Sequence, residues 1–126
     1  MKGLRDRCVF SGRVAPELAR HCSRMATVLV SPRVSGSNTP LKIYEQLASG
    51  IPLVATKIYS HTQVLDETVA FLVEPERNDL ARGITEALSS EDQRREKAEN
   101  AKKLYEQKYS RRVYVEKMRR LLEILK

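Results

Sequence analysis

Four short runs of consecutive apolar residues mark the chain, each closed by a turn former. CVFSG (8–12) stops at Gly12, ATVLVSP (26–32) at Pro32, IPLVAT (51–56) follows Gly50, and VAFLV (69–73) gives way to Pro75. Apolar side chains on successive positions leave no solvent face, the pattern of strands buried on both sides. Between and after these runs the period becomes helical. From Pro16, APELARHCSRM fits one short helix with proline in its first turn. Thr39 before Pro40 predicts an N-cap and a first helical residue, opening PLKIYEQLAS, which Gly50 ends. HTQVLDE reads as a short helix or turn. Leu80, Ile84, Ala87 and Leu88 share one face behind Asn78 or Asp79 as cap. Residues 91–109 are charged and helical, with Ala98, Ala101, Leu104 and Tyr105 as a thin apolar stripe. Ser110 is placed to cap a last helix in which Tyr114, Met118, Leu121, Leu122 and Leu125 recur at helical spacing.

Strand and helix alternate, then helices run to the end. That order predicts an α/β fold: a partial Rossmann-like domain with a mostly parallel sheet of about four strands, helices on both faces and C-terminal helices. Ligands of such sheets bind at the C-terminal strand ends, where loops lead into helices. The loop 31–39 is the longest in that position.

Length and charge narrow the classes. A chain of 126 residues makes one domain with a real core. No apolar run is long enough for a membrane span, and the N-terminal residues do not form a signal peptide. The expected location is cytoplasmic. Cys8 and Cys22 are too few for a disulfide framework, and neither they nor His21 and His61 have metal-ligand spacing, so no metal site is expected. The net charge of +7 sits at the ends. Residues 1–30 hold six basic and two acidic residues, residues 31–90 five and seven, residues 91–126 twelve and seven. Basic ends suit an anionic partner, but the C-terminal charges alternate in sign, as on a solvated helix face. No RNP-like, helix-turn-helix or zinc-finger pattern supports nucleic-acid binding.

The candidate chemistry lies in SPRVSGSNTPLKIYEQLASGIPLVAT. The backbone N–H groups of Thr39, Leu41 and Lys42 open a helix and face the loop, where they can hold an anion. Gly36 permits close approach. Lys42 lies in the first turn, where the helix dipole disfavours a cation, so either a phosphate compensates it or it pairs with Glu45 or points to solvent. Glu45 either accepts two hydrogen bonds from adjacent sugar hydroxyls or is a surface glutamate near a helix N-terminus.

PLKIYEQLASGIPLVAT, followed by SHTQVL and flanked by VFSGRV and AFLV, resembles the nucleotide-sugar-binding half of retaining glycosyltransferases with two Rossmann-like domains, the GT-B fold, in family 4 and group 1. The resemblance implies that residues 1–126 form a single, incomplete donor-binding domain of such an enzyme. It implies that Glu45 holds the ribose hydroxyls of a nucleoside diphosphate sugar. Asn38, Thr39, Pro40, Leu41 and Lys42 match the segment that meets the diphosphate and the donor sugar, and Gly12, Arg13 and Val14 match the turn beside the base. The family's first glutamate, eight positions before the second, falls on Ser37, which has no carboxylate; an Asn-Thr-Pro pattern in this loop matches a subgroup. His61, after the strand end at Thr56, is a further candidate at the pocket mouth.

The resemblance also implies two preceding strand–helix units, with a glycine-rich turn and a basic Arg/Lys pair, and a separate acceptor domain. Without those strands the edges of CVFSG and ATVLVSP are expected to seek a second chain or a second copy. Lys42 and the opening of its helix are then the candidates for stabilising the departing diphosphate, with no resident cofactor and no metal. The alternative is a nucleotide-binding or interaction module without activity of its own that needs a partner chain. The basic last helix is expected to pack on the sheet; peripheral contact with the inner face of a membrane is the option if acceptors are lipid-linked.

Overall fold

The computed structural model describes residues 2–126. Helix α1 (Lys2–Arg5) and an irregular segment lead to α2 (Pro16–Arg24). Then follow β1 (Leu29–Ser31), α3 (Leu41–Ala48), β2 (Leu53–Thr56), α4 (Tyr59–Thr62), β3 (Phe71–Val73), α5 (Arg77–Ser89) and α6 (Glu91–Leu104). A π-helical turn over Tyr105–Tyr109 joins α6 to α7 (Arg111–Ile124). The strands form one parallel sheet in the order β1-β2-β3. Leu29 pairs with Leu53 and Ser31 with Ala55; Val54 pairs with Phe71 and Thr56 with Val73.

Strand alternation sorts the core into two layers. Leu53, Ala55 and Leu72 face Ile43 and Leu47 of α3 and Ala101 of α6. Val54, Phe71 and Val73 face Ala87, Leu80 and Ile84 of α5. All seven residues of β2 and β3 are buried, as continuous apolar runs require. Burying each large aliphatic side chain here contributes about 1.5–3 kcal/mol. Helices therefore cover both faces, as the sequence pattern predicts.

The sheet has three strands rather than the expected four. CVFSG forms no ladder, and Val9 and Phe10 are 91% and 94% exposed. Apolar side chains favour a strand only when a neighbouring strand supplies hydrogen bonds, and this segment has none. Cys8 and Cys22 are exposed free thiols. The 26–32 run is also shorter than expected: β1 keeps three residues with an intermediate, exposed, buried pattern, the three that pair with Leu53 to Ala55 of β2.

Helix ends differ from expectation in ways that matter locally. Pro40, not Thr39, occupies the N-cap of α3, and no side chain caps that helix. Glu76, not Asn78 or Asp79, occupies the N-cap position of α5, and its side chain makes no capping bond; the Asp79 carboxylate accepts the Glu74 N–H at 2.6 Å. Ser90 and Ser110 cap α6 and α7, each accepting the backbone N–H three residues on. The expected helix over 91–109 gives way to π geometry in its last turn, which brings Tyr109 against Tyr44 of α3, edge to face with ring centroids 5.0 Å apart. Neither α2 nor α7 buries a residue. The last helix does not pack on the sheet; it meets the body at the π turn, and its apolar stripe, Met118 and Leu121 included, faces solvent. Among the described residues no helix is long and apolar enough to cross a membrane.

Candidate functional site

The sequence candidates Ser37 to Lys42 follow the C-terminal end of β1, and His61 follows that of β2. There the loop 32–40 leaves β1, crosses the top of the sheet and enters α3. Helix α3 is fixed by Ile43 and Leu47, 0% and 1% exposed, which face the sheet. That leaves Leu41, Lys42 and Glu45 outward. Proline has no side-chain acceptor, so with Pro40 at the N-cap the N–H groups of Leu41 and Lys42 have no cap. The Ile43 N–H is satisfied by Pro40 O at 3.0 Å. The helix therefore opens onto the loop as a donor surface with the positive end of its dipole exposed.

Lys42 and Glu45 line a groove of about 800 Å³ that runs along α3 to Ser49. Its other wall is α2, with Pro16, Arg20 and Arg24, and Tyr105 closes one side. The charged lining is Arg20, Arg24 and Lys42 against the single carboxylate of Glu45. Among the described residues none of these four enters an ion pair, and Lys42 does not pair with Glu45. The groove therefore carries uncompensated positive charge beside a free carboxylate, suited to an anion with neighbouring hydroxyls. A second groove, of about 600 Å³ beside β3, differs. Its lining balances Lys57, Arg82 and Lys97 against Glu67, Glu86 and Glu96, with two ion pairs, Lys57 with Glu67 at 3.7 Å and Arg82 with Glu86 at 2.9 Å.

The loop itself is tied down by residues that sequence reasoning did not single out. Arg33 folds back so that its guanidinium donates to Asn38 O at 3.3 Å. The group lies over Gly36, whose φ of 138° and lack of a Cβ make room for it; an added Cβ would stand 2.5 Å from the guanidinium carbon. From α4's C-terminus, Gln63 donates to Ser37 O at 3.0 Å and accepts from the Thr39 hydroxyl at 3.3 Å. The Thr39 hydroxyl thus serves the loop, not the helix end. A glutamine two residues beyond His61 gives no local signal that it reaches across to another loop.

Three groups of candidates stand apart from the groove. Gly12, Arg13 and Val14 lie in the irregular segment before Pro16, and Ser37 to Pro40 lie in the loop above α3; none is among the groove's lining residues. His61 is fully buried rather than at a pocket mouth. Its Nδ1 is 2.8 Å from Thr56 O and 3.2 Å from Thr56 Oγ1, and its Nε2 is 3.2 Å from Ser31 Oγ. Burial holds its pKa below the ordinary histidine value; the Thr56 carbonyl opposes this, and the cations Lys42 and Arg33 add to it.

The family model for glycosyl transferases group 1 matches residues 1–104. Among solved structures the chain is similar to a sucrose-phosphate synthase of Thermosynechococcus elongatus, with 25% identity and a TM-score of 0.81. That match covers 98% of this chain and 31% of the synthase. It is similar also to the C-terminal domain of a glycosyl transferase group 1 family protein of Francisella tularensis. There the identity is 21% and the TM-score 0.69, over 81% of this chain and 53% of the other, a likeness of fold. The chain thus spans about a third of the first structure's length and about half of the second's. No curated protein matches it.

Proposed function

The chain belongs to the glycosyl transferases group 1 family, and we propose that it is the donor-holding part of such an enzyme, binding a nucleoside diphosphate sugar. The observation that carries this reading is the groove along α3, where Lys42 and Glu45 stand unpaired next to a helix opening that no side chain caps. A diphosphate supplies the negative charge that Lys42 and the Leu41 and Lys42 N–H groups lack. A ribose supplies two adjacent hydroxyls to the Glu45 carboxylate. The sugar is the transferred group, and its transfer to a hydroxyl acceptor passes through an oxocarbenium-like state. Charge develops on the leaving diphosphate, so the preorganised α3 N-terminus and Lys42 contribute by stabilising that charge. The family 4, retaining assignment is part of this proposal, as is the acceptor site's residence on a separate body. Val9 and Phe10, both almost fully exposed, support a second body covering this end of the molecule.

Calorimetric titration of UDP, GDP and ADP into the chain tests the reading. One nucleotide is expected to bind, and Glu45→Ala to weaken it about tenfold or more, the loss of a charged hydrogen-bond acceptor worth ~1.5–3 kcal/mol. Equal binding to wild type and Glu45→Ala, or no binding of any nucleotide, contradicts it.

A further inference from the structure

As a neutral ring, the buried histidine beneath this site has only one arrangement of hydrogens that satisfies its neighbours. A carbonyl oxygen accepts but never donates, so the 2.8 Å contact with Thr56 O requires a proton on His61 Nδ1. The Thr56 hydroxyl spends its own proton on Arg33 O, so toward His61 it too only accepts. Desolvation disfavours a second proton on the ring, as do Lys42 of α3 and Arg33 of the loop, the charged groups that act on it. His61 is therefore neutral, and its bare Nε2 accepts the Ser31 hydroxyl at 3.2 Å.

These bonds form a directed chain from Ser31, the last residue of β1, through His61 on α4 to Thr56, the last residue of β2, and on to the Arg33 carbonyl at the start of the loop. Arg33 in turn holds Asn38 O. We propose that His61 is a positioning residue: as the neutral Nδ1–H tautomer it fixes the root of the loop 32–40, and with it the presentation of the α3 opening and Lys42. Its effect on ligand binding is indirect and depends on its protonation state. Protonating Nε2 forces the Ser31 hydroxyl to turn around and places a third positive charge beside Arg33 and Lys42, which loosens the loop. The consequence for nucleotide binding rests on the donor-site reading above; the consequence for the loop does not.

Backbone ¹⁵N relaxation of residues 33–38, paired with ¹⁵N spectra of the histidine rings, tests the proposal. Near pH 7.5 the His61 spectrum is expected to show a neutral ring with the proton on Nδ1. The order parameters of the loop should fall as pH drops below 6.5, the ordinary histidine pKa, and His61 takes up its second proton. His61→Asn keeps a donor for Thr56 O and cannot ionise, so its loop should stay ordered and lose the pH dependence. Thr56→Val removes the bond to Arg33 O at nearly constant volume. It should lower the loop's order parameters at every pH while leaving the amides of β2 and β3 protected from exchange, which keeps the test decisive if His61 variants misfold. An Nε2–H tautomer, a charged ring at pH 7.5, or a loop indifferent to both pH and Thr56→Val overturns the proposal. UDP, GDP and ADP titrated against the same variants separate the two claims. Loop changes without any nucleotide binding sustain the positioning role and sink the donor-site reading. Binding that survives a loosened loop sinks the coupling alone.

Discussion

A methyl group added at Gly83 would stand 2.2 Å from Val73 Cγ1 and 3.3 Å from Val54 Cγ1. Carbon atoms in comfortable contact are ~3.5–4.0 Å apart, so the first overlap exceeds an ångström. Neither valine can give way easily: they are 1% and 0% exposed, and a β-branched side chain is stiff at χ1. Helix α5 must lift from the sheet or Val73 must leave its rotamer. Overpacking of this kind costs about 1–3 kcal/mol. The same change gains about 1 kcal/mol of helix propensity. With an overlap this large the steric cost belongs at the upper end, leaving Gly83→Ala destabilised by about 1–2 kcal/mol. That corresponds to a Tm lower by roughly 3–8 °C. Urea denaturation of Gly83→Ala, Val73→Ala and the double variant, followed by circular dichroism, reads the effect. The space opened by Val73→Ala receives the new methyl, so the double variant should be more stable than the sum of the singles by about 1 kcal/mol. Gly83→Ala as stable as wild type, or a strictly additive cycle, refutes the close approach of α5 to the sheet.

Three further outcomes follow from local contacts. The Ser60 hydroxyl is fully buried and has no hydrogen-bond partner, so Ser60→Ala should be neutral or raise stability by up to about 1 kcal/mol in the same urea assay. The Asp66 carboxylate is held below its ordinary pKa of 3.8, first by the Thr68 hydroxyl and also by the Thr68 N–H and Lys97. A depressed carboxylate stabilises the folded state above its unfolded pKa, so this contribution should fade as pH drops below about 4, and Thr68→Val should flatten that limb of the pH–stability curve. Ser90→Ala removes the cap of α6 and should cost about 1 kcal/mol, measured by thermal melting, while Ser90→Asp should not.

How much of this was readable from the chain depends on how local each cause is. Continuous apolar runs at 53–56 and 71–73 identify β2 and β3 because burial on both faces needs nothing beyond the run itself. The α3 face was readable for the same reason: Ile43 and Leu47 are one turn apart, and that spacing alone turns Lys42 and Glu45 outward. The run at 8–12 misleads because a strand is a property of a pair. Val9 and Phe10 fit a strand, yet no neighbour offers them a ladder. β1 keeps only three residues of the 26–32 run for a related reason, since just those three meet a partner in β2. His61 shows the opposite failure. A histidine near a strand end reads as a mouth residue, but α4 turns it inward, where Ser31, thirty positions earlier, supplies the partner that makes burial tolerable. Arg33 and Gln63 likewise act through backbone carbonyls of a loop whose path is invisible in one dimension. The π turn that brings Tyr109 to Tyr44 leaves no periodic trace either, since one extra residue in a turn changes the register only locally.

The central claim is that a nucleoside diphosphate sits at the opening of α3, in the groove with unmatched charge. Backbone amide chemical shifts, recorded as UDP, GDP and ADP are titrated into the labelled chain, locate the ligand directly. The account predicts that one nucleotide moves the amides of Leu41, Lys42 and Glu45 together with those of Gly36 to Asn38, and that Glu45→Ala weakens these shifts. Shifts centred instead on Glu67, Arg82 and Lys97, around the groove beside β3, would contradict it.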